Sequence, residues 1–187
     1  MVQPKILVII RSYKSSPSFS LPSNMDNISV IIDFEGFSSR EHGYIYRQLA
    51  WISMDEEDEH LVDIFSPDIP YSSLNRRDQF QVRWEKENLH GLYLITRPTR
   101  NTSINIQGLQ RYLTSLWDTY EGVFAFKGGS IEKSMLQSIR VPFIDLEAEG
   151  CPRARDINVS CSHHLNFLNH CPLCEVNCYK NFVTNRL

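Results

Sequence analysis

The sequence predicts an α/β domain, a mixed sheet flanked by helices. Two observations carry this. Between Asn27 and Phe65 three apolar segments follow one another as a meander, and from Gln107 onward helical and strand patterns alternate. No internal repeat is visible. The 187 residues suit one domain with a real core. A hydrophobic content of 42% and a charged content of 22% are those of an ordinary globular protein.

Residues 1–26 read as a flexible lead-in, because residues 12–26 are rich in Ser, Pro and Asn. The domain is expected over 27–187. Asn27 to Asp33 reads as a strand, since Ile28, Val30, Ile31 and Ile32 make a nearly continuous buried run. Tyr44 to Ser53 reads as a second strand and His60 to Phe65 as a third. The acidic run Asp55–Glu59 between them reads as a solvated turn, and Pro67 and Pro70 end the meander. Residues 71–90 are polar, and no element is assigned to them. Leu92 to Thr96 reads as a short strand. Gln107 to Tyr120 reads as a helix, with Leu109, Leu113, Leu116 and Trp117 on one face. Val123 to Phe126 reads as a strand and Lys127-Gly128-Gly129 as a turn. A helix follows over Ser130 to Ile139 with Ser130 as its N-cap, then a strand over Val141 to Leu146. Cys171-Pro172 opens the last helix, because proline suits the first helical position.

The net charge of −3 argues against a general nucleic-acid coat protein, though not against a local basic groove. No run approaches the roughly 18 apolar residues of a membrane span. The five apolar residues Ile6–Ile10 are followed by no small-residue cleavage site, so no signal peptide is read there. All five cysteines lie after residue 150, clustered among histidines. That pattern favours metal binding or reduced thiols in an intracellular protein over a disulfide framework.

The chemistry is concentrated at two places. Asp33 and Glu35 lie two residues apart at the end of an apolar strand and therefore on one side of it. Two carboxylates so placed can bridge two divalent metals, the arrangement used for in-line phosphodiester hydrolysis; otherwise a strand-end acid pair is simply solvated. Glu132 sits just inside a helix after a strand and glycine turn. It is either a further ligand or a helix-start acid favoured by the dipole. His170 and Glu175 form His-x4-Glu at a helix start. Glu175 would face the metals, while His170, as general base with a pKa near neutrality, would deprotonate the attacking water.

In order and type these residues resemble the DEDDh family of 3′–5′ exonucleases, on the ribonuclease-H-like fold. Asp33 and Glu35 match its Asp-x-Glu motif, Glu132 the acid of its strand–turn–helix motif, and His170 with Glu175 its His-x4-Asp motif. The resemblance spans roughly 27–183. It implies Asp33, Glu35, Glu132 and Glu175 as ligands of Mg²⁺ or Mn²⁺, His170 as base, and a single nucleic-acid strand as substrate. RNA is preferred over DNA as that strand. Glu stands at two positions where the family has Asp. It keeps the charge but reaches one methylene farther, and Mg²⁺ tolerates poor geometry badly.

The second place is the C-terminal segment. Cys161-x2-His164 followed by Cys171 has zinc-site spacing. Cys151 is the expected fourth ligand, with Cys174 in reserve, so a zinc-stapled C-terminal segment is expected. The plain alternative is that these cysteines pack as small hydrophobes. This segment resembles the Maelstrom domain, an exonuclease-like fold that binds zinc through Glu, Cys, His and Cys. Gln48 stands near where that family's Glu stands, and glutamine is a poor zinc ligand. The likeness implies an alternative function, a catalytically inactive module that binds RNA or a protein partner. Finally, Arg76, Arg77, Arg83, Lys86, Arg97 and Arg100 interleave with Phe80, Trp84 and Tyr93, a mixture suited to single strands. A solvated irregular segment would read the same way.

Overall fold

The apolar run that starts at Ile28 becomes β1 (Ile28–Ser39), which runs six residues past the predicted end at Asp33. The computed structural model of the chain describes residues 25–99, 103–153, 156 and 171–186. β2 (Gly43–Ser53) and β3 (His60–Asp63) continue the meander, and residues 55–58 between them are exposed, as the acidic run predicts. α1 (Arg76–Glu85) runs into a π-helical turn over Lys86–His90. Then come α2 (Ile106–Tyr120), β4 (Val123–Phe126), α3 (Ser130–Ile139), β5 (Phe143–Asp145) and α4 (Pro172–Thr184).

The five strands form one mixed sheet in the order β3-β2-β1-β4-β5. β1 pairs antiparallel with β2, and β2 with β3; β4 pairs parallel with β1, and β5 with β4. The architecture is therefore α/β, a five-stranded mixed sheet flanked by helices, compatible with a ribonuclease-H-like arrangement. Strand order reverses between β1 and β4. The carboxyl ends of parallel strands beside such a reversal are where open α/β sheets place their ligands.

Alternation along β1 divides its side chains between two layers. Val30, Ile32 and Phe34 pack with Leu109 and Leu113 of α2 and with Met135 and Leu136 of α3. Ile31 packs on the other face with Ala50, Ile52 and Ala125 beneath Val176, Tyr179 and Val183 of α4. Burying each such side chain contributes roughly 1.5–3 kcal/mol. Asp33 and Glu35 follow Ile31 at period two, so they share the α4 face.

Helix starts follow local chemistry. The Asn75 side chain accepts the N–H groups of Arg77 and Asp78, and that of Asn105 accepts the Gly108 N–H. α3 departs from expectation in detail, because Gly129 is its N-cap and Ser130 its first helical residue. α4 opens at Pro172 with Cys171 as N-cap, as predicted.

One expectation is overturned, and one helix appears where none was assigned. Leu92 to Thr96 forms no strand. Residues 76–90, given no element from the sequence, are helical. The reason is that the inner face of α1 carries acids as well as Val82. Asp78 is 2% exposed and accepts the Ser39 hydroxyl at 2.7 Å and the Arg40 N–H at 3.2 Å. Glu85 is 5% exposed and accepts the Ser38 N–H at 3.0 Å. Both acids tie α1 to the far end of the β1–β2 hairpin, where Phe37, Ile45, Leu74 and Val82 make a small core.

Candidate metal centre

The site grows from β1. Beyond Glu35 the ladder with β2 slips by one residue, and Gly36 comes to lie opposite Tyr46. Only glycine fits there, since a Cβ on Gly36 would stand 2.3 Å from the Ile45 carbonyl oxygen. The bulge ends the face that carries Asp33 and Glu35, and the Gly36 N–H donates to Glu35 Oε1 at 3.2 Å.

β4 lies on the other side of β1. Its last residues lead through Gly128 and Gly129, both with positive φ, into the first turn of α3, where Glu132 is 7% exposed. The Glu132 carboxylate accepts its own backbone N–H and that of Phe34, which ties α3 to the strand position next to Asp33. It also rests against Gly129, whose absent Cβ would meet Glu132 Oε2 at 2.8 Å. Asp145, at the end of β5, accepts the Gly128 N–H at 2.8 Å and so holds the glycine turn. From the opposite layer α4 brings Glu175, whose Oε2 accepts the Tyr179 hydroxyl at 2.5 Å.

The four acids feel one another. Asp33 is held well above the ordinary carboxylate range, first by burial and then by the negative charges of Glu175, Glu132 and Glu35. Glu132 is pushed up to about 7, chiefly by burial, with Glu175 and Asp145 adding and the two N–H groups opposing. Tyr44 and Tyr179 flank the group. Burial, then Glu35 and Asp33 for Tyr44, and burial, then Asp33 and Glu175 for Tyr179, raise both phenols.

Sequence reasoning named Asp33, Glu35, Glu132 and Glu175, and the fold brings these four into one neighbourhood. It missed Asp145, Tyr44, Tyr179 and His90. Asp145 could have been found as an acid ending a strand parallel to β4. His90, 2% exposed, accepts the Leu92 N–H at Nδ1 (3.0 Å), so its proton sits on Nε2 and is donated to the Gly36 carbonyl at 3.0 Å. That Nε2 is also 3.9 Å from Glu35 Oε1. Nothing local in the sequence joins residues 54 apart. His170, Cys161 and His164 lie outside the described residues, as does Arg100 of the basic segment.

Of the expected zinc ligands, Cys151 and Cys171 are described and both are buried. The Cys151 thiol is pushed up to about 11, mainly by burial and also by the neighbouring Cys178, which is not among the expected ligands. Gln48 is engaged elsewhere, donating to Asp63 Oδ1 at 3.1 Å.

An all-carboxylate donor set is that of hard cations such as Mg²⁺ and Mn²⁺. Among the described residues no three Asp, Glu, His or Cys side chains converge as a ready-made ligand cluster. Among those residues, too, no helix is long and apolar enough to cross a membrane. No protein-family model matches the chain, and no curated protein matches it.

Proposed function

We propose that this protein is a metal-dependent exonuclease-like domain acting on single-stranded nucleic acid, RNA in preference to DNA, from the 3′ end. One observation carries the reading. Buried Asp33 lies within electrostatic reach of three further acids drawn from β1, α3 and α4. Gathering four carboxylates costs folding energy unless a cation offsets their repulsion. Asp33, Glu35, Glu132 and Glu175 would hold Mg²⁺ or Mn²⁺; bound, such ions activate water and neutralise charge on a phosphodiester.

The chain's own residues do the rest. Gly129 and the Phe34 N–H hold Glu132 beside the middle of β1, next to Asp33. The Tyr179 hydroxyl orients Glu175, and His90 fixes the carbonyl beside Glu35. His170, the residue before the α4 N-cap, is the proposed base. Zinc on Cys151, Cys161, His164 and Cys171 would pin the segment that carries it.

The second reading is an inactive, Maelstrom-like module that binds RNA or a protein. It draws on the finding that, among the described residues, no three potential ligand side chains converge on one point. A single strand labelled so that its 3′ end can be followed, incubated with Mn²⁺, separates the two. Stepwise shortening by the intact protein, lost in Asp33→Ala, supports the nuclease; an uncut strand that stays bound supports the module.

A further inference from the structure

A cavity lies on the outer side of α1, beside the turn that carries His90. The π-helical turn Lys86–His90 has two sides. His90 points inward to Gly36 and Glu35, whereas Lys86, four residues earlier, lies outside over the Tyr93 ring with its Nζ 3.7 Å from the ring centre. Such a turn is held by a hydrogen bond one residue longer than that of an α-helix, here from the Gly91 N–H to the Lys86 carbonyl at 3.0 Å.

The cavity, next to Lys86, is about 330 Å³ and is lined by Tyr71, Val82, Arg83, Lys86, Glu87 and Tyr93, among others. Arg83 Nη2 approaches the Tyr71 hydroxyl at 3.5 Å. Tyr93 is 65% exposed and Tyr71 38% exposed, large rings left open to solvent. Along the same helix Phe80 and Trp84 are 65% and 44% exposed, and Arg76 and Arg77 are exposed beside them. An apolar partner would match the rings but strand the cations, and a plain anion would match the cations but leave the rings in water. Chemistry that offers flat π-faces together with one negative charge per repeat satisfies both.

We infer that this cavity is a subsite for one nucleotide of a single strand, its base stacked on Tyr93 and its phosphate held by Arg83 and Lys86. The inference rests on the proposal that the protein acts on single strands. It adds where the strand lies, across the outer face of α1, beside the turn whose His90 stands 3.9 Å from Glu35. Glu87 at the rim leaves the charge match to Arg83 and Lys86.

The test is equilibrium binding of a fluorescent oligouridine in EDTA, so that nothing is cut, with each variant's folding checked by its melting curve. Tyr93→Leu binds about tenfold more weakly, the loss of one stacked base. Lys86→Gln and Arg83→Gln each lower the salt slope by about one. Removing a base from the oligomer weakens binding to the intact protein, and that difference shrinks in Tyr93→Leu. Unchanged binding and slope in all three variants would overturn the subsite and leave the single-strand reading standing. No binding by the intact protein sinks both. Tighter binding of an acidic, tyrosine-rich peptide than of the oligomer would assign the cavity to a protein instead.

Discussion

The backbone N–H of Phe34 donates to the carboxylate of Glu132, so the first turn of α3 is fastened to β1 one residue beyond Asp33. Two acids 99 positions apart by residue number thereby come together at the reversal of strand order. Glu175 reaches the same place from the opposite layer.

The metal-free protein loses stability as pH rises. Glu132 has an ordinary pKa of 4.5 and is pushed up to about 7 in the folded chain. Between those values the folded state binds the proton more tightly than the unfolded state. The loss therefore begins above the first value, is complete above the second, and is on the order of 3 kcal/mol. Urea titrations in EDTA across that window read it, and Glu132→Gln flattens the slope.

Asp33→Asn removes a charge that its surroundings repel. In EDTA at mildly alkaline pH this variant melts above the intact protein, and on adding Mn²⁺ the order reverses. A side chain whose removal stabilises the fold is the mark of strain kept for something other than folding. A lower melting point for Asp33→Asn in EDTA would count against the repulsion described above.

Gly129→Ala tests whether the glycine turn positions Glu132. At φ 96° a side chain is strained, and the new Cβ would meet the carboxylate. Expected are a stability loss of about 1–2 kcal/mol and weaker Mn²⁺ binding. Gly43→Ala is the control: it too has positive φ, but its Cβ would meet nothing within 4 Å. Its Mn²⁺ affinity should match that of the intact protein.

His90→Phe keeps an aromatic ring beside Phe37 but removes both polar contacts, leaving the Gly36 carbonyl and the Leu92 N–H unpaired. Each such buried group costs about 1–3 kcal/mol. Denaturant unfolding reads that cost. If Mn²⁺ affinity also falls, His90 positions Glu35; if stability alone changes, its role ends at the bulge.

Much of this architecture could be read from residue patterns, because β1, β2 and α2 are built on apolar periods that dominate their packing. α1 could not, since its inner face carries Asp78 and Glu85 and its outer face Phe80 and Trp84, which inverts the usual pattern. The strand expected at Leu92 to Thr96 failed for a related reason. Its apolar residues Leu92 and Leu94 pack against the small core under α1 rather than joining the sheet. The four acids were legible because local sequence marks each of them, Asp33 and Glu35 after an apolar run and Glu132 and Glu175 in the first turn of a helix. Their supporting groups, Tyr179 and His90, were not, because what joins them to the site is packing between distant elements.

Mn²⁺ binding to the metal-free chain, counted by calorimetry and repeated with Asp33→Asn, is the most direct measure of whether the four carboxylates form one cation pocket. The expected result is tight, saturable binding, stronger as pH rises through the titration of Glu132 and lost in the variant. Equal binding by both proteins, or none by the intact chain, would contradict the account.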